Sequence, residues 1–121
     1  MRFNVTVDGQ IVILALFGDL VTDSAVELIA EVTKHAGERR YFVLDMTSVG
    51  FMNSSGLGAC MKVHTLLKEK NGLVAFAHLN DIVGRVFSLT RADKKLLVVP
   101  SKPEAIGALR ERMQGGALGN G

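Results

Sequence analysis

The sequence of 121 residues predicts an α/β domain in which a mixed, mostly parallel sheet of about five strands packs with about four helices in the order ββαβαβαβα. Three observations predict it. Apolar runs of strand length recur at Gln10 to Phe17, Tyr41 to Met46, Leu73 to Ala77 and Leu96 to Val99. Amphipathic stretches with helical spacing lie between them, as crossovers between parallel strands require. Hydrophobic residues make up 48% of the chain, enough for a two- or three-layer core, and the length leaves no room for a second domain.

The elements follow in order. Phe3 to Val7 alternates as a half-buried strand, and Asp8-Gly9 joins it to the second strand through the dipeptide that suits a tight type I′ turn. The second strand is apolar almost throughout, so both of its faces should be covered. Gly18-Asp19-Leu20 breaks it. Ser24-Ala25-Val26-Glu27 fits a capping box, and Ala25, Leu28, Ile29, Val32 and Ala36 recur at helical spacing toward Gly37.

The central strand is Tyr41 to Met46, and the helix after it starts at Asn53-Ser54-Ser55, three strong N-cap residue types. Asn71-Gly72 stops that helix. Asn80 or Asp81 caps a short helix that uses Ile82, Val83, Val86, Phe87 and Leu89. Ser101-Lys102-Pro103-Glu104 starts the last helix, with Pro103 in the first turn, where its missing N–H costs nothing. Residues 114–121 are glycine-rich with little to bury and are expected to fray, leaving 1–113 as the folded domain.

Ser54 sits where a strand hands over to a helix. A helix N-terminus carries unpaired N–H groups and about half a unit of positive charge, so it tolerates an anion on a nearby hydroxyl. That makes Ser54 a phosphate acceptor by chemistry. At 100° per residue, Gly56, Cys60, Val63 and Leu67 face the sheet, while Gly58, Lys62, Thr65 and Glu69 face water. Ser54, Leu57, Met61 and Lys68 fall on the flank between. Leu57 and Met61 therefore either dock a partner, with Met61 as an adaptable anchor, or pack beneath a neighbouring helix. Asp45, at the end of the central strand, is expected to accept hydrogen bonds that hold the loop; a direct part in phosphoryl transfer is the alternative.

The run Asp45-Met46-Thr47-Ser48-Val49-Gly50-Phe51-Met52-Asn53-Ser54-Ser55-Gly56-Leu57-Gly58 resembles the signature of the STAS-domain family, specifically the bacterial anti-sigma factor antagonists. The element order resembles the STAS fold from Phe3 to about Met113, including the Val83 to Phe87 helix. The resemblance implies that Ser54 is the residue phosphorylated by a partner kinase, with Asn53, Ser55, Gly56, Leu57 and Met61 around it as partner-binding surface. It further implies that the unmodified protein binds an anti-sigma factor with serine kinase activity, releasing a sigma factor, and that phosphorylation ends the association. ATP and its metal would belong to the kinase, so this chain would be substrate and ligand, not enzyme, with no cofactor of its own. The sequence departs from the family pattern at Asn53, where Asp is usual, at Val21, where the turn usually carries an acid, and at Arg91, where glycine is common. A second expectation therefore stands beside the first: a STAS subunit of a larger assembly, such as a lipid-transporting ABC system or a stress-signalling scaffold, that is never phosphorylated.

Other function classes fare worse. A catalytic serine needs a base within hydrogen-bonding distance, and His64 lies ten residues along the same helix, about 15 Å away. No glycine stands two before Ser54 or Ser55 in the manner of a nucleophile elbow, and Gly50 and Gly56 bracket a loop with no Lys-Ser/Thr after it. Three scattered histidines and the lone Cys60 have no metal-ligand spacing. Cys60, in an apolar helical pattern, reads as a reduced core thiol. The formal charge of +2 is dispersed and argues against nucleic acid. The longest apolar run, Ile11 to Phe17, is too short to span a bilayer, and strand-like residues follow Met1 where a leader would carry a cleavage site, so the expected address is the cytosol.

Overall fold

In the computed structural model, which describes residues 1–118, strands β1 (Arg2–Asp8) and β2 (Ile11–Phe17) form the antiparallel hairpin. Its loop is Gly9-Gln10, with Asp8 opposite Ile11. Gly9 has φ +62°, and Gln10 is not among the residues with positive φ. This is the pattern of a type II′ turn, which needs glycine only at its first central position, and it replaces the expected type I′ turn on Asp8-Gly9.

The sheet continues through β3 (Tyr41–Ser48), β4 (Leu73–Ala77) and β5 (Leu97–Val99) in the order β1-β2-β3-β4-β5, with β2 to β5 all parallel. Each parallel step is closed by a helical crossover, so the expected ββαβαβαβα order is the observed one. Helices α1 (Thr22–Ala36), α2 (Ser54–Glu69) and α3 (Asp81–Leu89) cover one face. Their apolar stripes meet Val12, Leu14, Phe42, Leu44, Val74 and Phe76 there. Helix α4 (Lys102–Leu118) covers the other face alone, burying Ala105 and Leu109 against Ile13, Val43 and Ala75. It passes Met113, where the domain was expected to close; positions 119–121 of the expected tail lie outside the described residues. Among the described residues no helix is long and apolar enough to cross a membrane.

Two local expectations need correction. Helix α1 starts two residues before Ser24, with Val21 as its N-cap residue. Ser24, buried at the third helical position, accepts from the Val21 N–H at 2.8 Å and donates to the Asp19 carbonyl at 2.7 Å. It thus plays the part that Glu or Gln takes in a capping box, and holds the turn although Val21 offers no side-chain cap. On α3, Ile82 and Leu89 are 56% and 76% exposed, not buried. A nine-residue helix presents one stripe, and Val83 and Phe87, four apart, occupy it.

The end of α2 is a Schellman motif. Asn71, in the left-handed region at φ 63°, donates to the Lys68 carbonyl at 3.0 Å, and Gly72 donates to the Leu67 carbonyl at 2.7 Å. Gly72 is required there for space as well, because a Cβ would stand 1.9 Å from the Arg40 carbonyl oxygen.

Candidate functional site

The site is built from the loop between β3 and α2. Phe51 and Met52 part company: Met52 is buried and bridges Leu20 in parallel, while Phe51 is 46% exposed. The Leu20 N–H donates to the Phe51 carbonyl at 2.9 Å, and the Asn53 N–H donates to the Leu20 carbonyl at 3.3 Å. The entry to α2 is therefore stitched to the entry to α1. Asn53 is the N-cap of α2 and its side-chain oxygen accepts from the Gly56 N–H at 3.1 Å. An uncharged amide meets that demand as well as a carboxylate would.

Ser54 is the first residue of α2 and is exposed. Ser55, beside it and half-buried, accepts a hydrogen bond from the Thr22 hydroxyl at 3.4 Å. Since Thr22 opens α1, two helix N-termini lie side by side, and their positive ends converge on the surface that carries Ser54. The Asp19 carboxylate borders the loop, with one oxygen that would be 3.6 Å from a Cβ on Gly50.

Gly56, expected on the partner surface, is buried instead. A Cβ on it would stand 2.1 Å from the Leu20 carbonyl oxygen, so its missing side chain lets the two helix entries meet. Leu57 and Met61 are half-buried, each packed against the core with an edge left outside, one and two turns below Ser54.

Asp45 is not brought to Ser54. Alternation along β3 puts it on the α4 face with Tyr41 and Val43, whereas Phe42, Leu44 and Met46 share the face of α2. Its carboxylate accepts from the Thr47 hydroxyl at 2.5 Å and the Thr47 N–H at 3.1 Å, with the Lys102 ammonium 3.7 Å away. Burial opposes ionisation, but the bonds from Thr47 and the charges of Lys102 and His78 outweigh it and hold the carboxyl below its usual value. A lowered folded pKa stabilises fully above the unfolded value of about 3.9, and the contribution is lost as pH falls through the folded value. Asp45→Asn should accordingly lower stability at pH 7, and urea unfolding repeated at successively lower pH should show the difference shrink once the pH falls below the ordinary carboxylate range.

Asn80 does more than cap a helix. Its oxygen caps α3 by accepting from the Val83 N–H at 2.8 Å, while its amide nitrogen donates to the Val49 and Gly50 carbonyls at 3.2 and 3.1 Å. One side chain clamps the loop to the next helix. Thr22 was unmarked; its place before an apolar helical pattern was the available signal.

The remaining nucleophiles and bases stand apart. Cys60 is buried, and burial pushes its thiol up to about 12, so it is unreactive in the folded chain. His64 is half-buried; burial first, then Lys68 and Lys95, holds its imidazole below the ordinary value.

The family model described as the STAS domain matches residues 2–105. Among solved structures, TM1081 of Thermotoga maritima, assigned as an anti-sigma factor antagonist, is 23% identical over 89% of this chain and 94% of its own, with a TM-score of 0.84. The Bacillus cell fate determinant SpoIIAA in its phosphorylated form is 20% identical over 88% of this chain and 98% of its own, with a TM-score of 0.68. A sulfate transporter family protein from Wolinella succinogenes shares the fold at 13% identity over 90% of this chain and 92% of its own, with a TM-score of 0.78. At these identities the solved structures speak for the fold, and the match over residues 2–105 speaks for descent: the chain belongs to the STAS-domain family.

Proposed function

We propose that this chain is an anti-sigma factor antagonist, a non-enzymatic cytoplasmic binding module whose association with an anti-sigma factor bearing serine kinase activity is ended by phosphorylation of Ser54. The observation that carries the reading is an exposed hydroxyl at the first position of α2, set where the N-termini of α1 and α2 converge. A phosphate adds roughly −1.5 to −2 units of charge, which two helix ends can stabilise without disturbing the fold. In a docked interface the same charge must lose water against the partner, and the complex is released. Exposed Phe51 and the outer edges of Leu57 and Met61 supply the apolar contact around it. A relative that shares the fold, SpoIIAA, has been solved both unphosphorylated and phosphorylated, which supports a switch of this type.

A second reading, the unphosphorylated STAS subunit of a larger assembly, is favoured by one observation: Asn53 caps α2 fully but brings no carboxylate to the serine. Intact-mass spectrometry of the protein isolated from its native host, with and without phosphatase, separates the two. One phosphoryl group mapped to Ser54 is the expected result. Its absence under every growth condition, with the protein held in a large complex, would transfer the assignment to the assembly subunit.

A further inference from the structure

Of the two edge strands of the sheet, β5 has three residues and β1 has seven, and β1 carries none of the devices that usually blunt an edge strand. Its residues Arg2–Asp8 contain no proline and no bulge against β2, and the interior of the strand has no charged side chain. The three apolar side chains Phe3, Val5 and Val7 share the face of α1, and Val5 and Val7 are 36% and 47% exposed. A two-residue turn makes Asp8 and Ile11 a hydrogen-bonded pair, so Asp8, Thr6, Asn4 and Arg2 turn their main-chain polar groups toward β2. Phe3, Val5 and Val7 turn theirs outward.

From this geometry we infer that β1 is a docking edge for a second copy of this chain, pairing antiparallel with its own counterpart about a two-fold axis through Val5. The register follows from the residues. Centring the seven-residue strand on Val5 places the outward-turned Phe3, Val5 and Val7 of one copy against Val7, Val5 and Phe3 of the other, so every free N–H and C=O of the edge finds a partner. On the apolar face, Phe3 meets Val7 at both ends and Val5 meets Val5, pairs that favour strand association. On the other face, Arg2 meets Asp8 at both ends, and Asn4 meets Thr6 between them. The charges are thus complementary only in the antiparallel register. Asp8 already receives two hydrogen bonds from Arg110 at 2.9 and 3.0 Å, and Arg2 lies 4.5 Å over the Phe17 ring, so both charged groups are held on the face where the pairing needs them. The result is a continuous ten-stranded sheet built by an isologous contact, with the Ser54 surfaces of both copies left open.

The test uses the full chain. Sedimentation velocity at rising concentration should show the mass moving from 13.0 kDa toward twice that value, and Val5→Lys, which sets two ammonium groups against each other on the axis, should return it to the single-chain mass. Both variants below keep the melting behaviour of the parent, because Val5 and Val7 are exposed. Under mild oxidation Val5→Cys should cross-link as a covalent dimer, since residues facing each other in a hydrogen-bonded pair lie about 5.5 Å apart at Cα, within disulfide reach. Val7→Cys should not, because the same register separates the two copies of Val7 by about 14 Å along the strands. Buried Cys60 does not compete. A single-chain mass at millimolar protein, a dimer that survives Val5→Lys, or equal cross-linking of the two cysteine variants would each overturn the inference.

Discussion

Gly56→Ala should destabilise the domain by roughly 3 kcal/mol or more, lowering the melting temperature by ten degrees or more, in the range typical of a buried backbone clash. Alanine is ordinarily the better helix former, by about 1 kcal/mol relative to glycine, so propensity alone predicts the opposite sign. Contact decides the matter. The new methyl group would stand 2.1 Å from the Leu20 carbonyl oxygen and 3.1 Å from the Leu20 side chain. Leu20 is itself fully buried and tied to Phe51 and Asn53 by main-chain hydrogen bonds, so it has nowhere to retreat without unstitching the two helix entries. Gly58→Ala, with nothing within 4 Å of its Cβ, is the control and should be neutral or slightly stabilising. Thermal melts of the two variants check the claim, and a Gly56→Ala protein as stable as the parent would mean that the helices are not in contact at this point.

Ser54→Asp should weaken binding to the cognate anti-sigma factor about a hundredfold or more while leaving the fold intact. An uncompensated charge taken into an interface costs roughly 3–5 kcal/mol, and the same carboxylate on the free protein is slightly favourable beside two helix N-termini. The prediction is therefore a separation of effects: affinity measured by calorimetry falls steeply, while circular dichroism and the melting temperature stay at or just above those of the parent. Ser54→Ala should bind as the parent does and resist release when ATP is added. Unchanged affinity of Ser54→Asp would remove the switch from this residue. The two variants also differ in kind, since Gly56→Ala disturbs the platform and Ser54→Asp only the charge upon it.

Most of the fold was legible because hydrophobic period and turn chemistry agree along this chain. Leu73 to Ala77 is buried at every position and coincides with β4 residue for residue. Asn53, Asn80 and Asn71-Gly72 mark helix ends by side-chain and backbone demands that are local, so a single sequence suffices to place them. The errors are equally physical. Ser24 satisfies the capping-box pattern, but that pattern does not say which of its two ends a small hydroxyl will occupy, and burial chose the third helical position. Ile82 and Leu89 count as apolar in any periodicity, yet which residues of a one-stripe helix face inward is set by how the helix lands on the sheet.

The candidate site was legible as a run of residues and less so as a surface. Ser54 at the helix tip followed from N-cap chemistry. That a second helix would begin beside it, that Gly56 would lie under Leu20, and that Asp45 would point to the opposite side of the sheet all depend on contacts between segments distant in sequence. Asn80 shows the limit most clearly: its capping oxygen is a local signal, whereas the amide that grips Val49 and Gly50 spans thirty residues and leaves no local mark.

The unequal roofing of the sheet assigns separate duties to its two sides. Three helices share the load beneath Ser54, so a partner that pushes on the tip of α2 leans on Leu20, Met52 and the central strands together. On the reverse side a single helix, α4, rests on Ala75, Val43 and Ile13. The sheet is thus a partition braced threefold on the side that carries Ser54 and singly on the other.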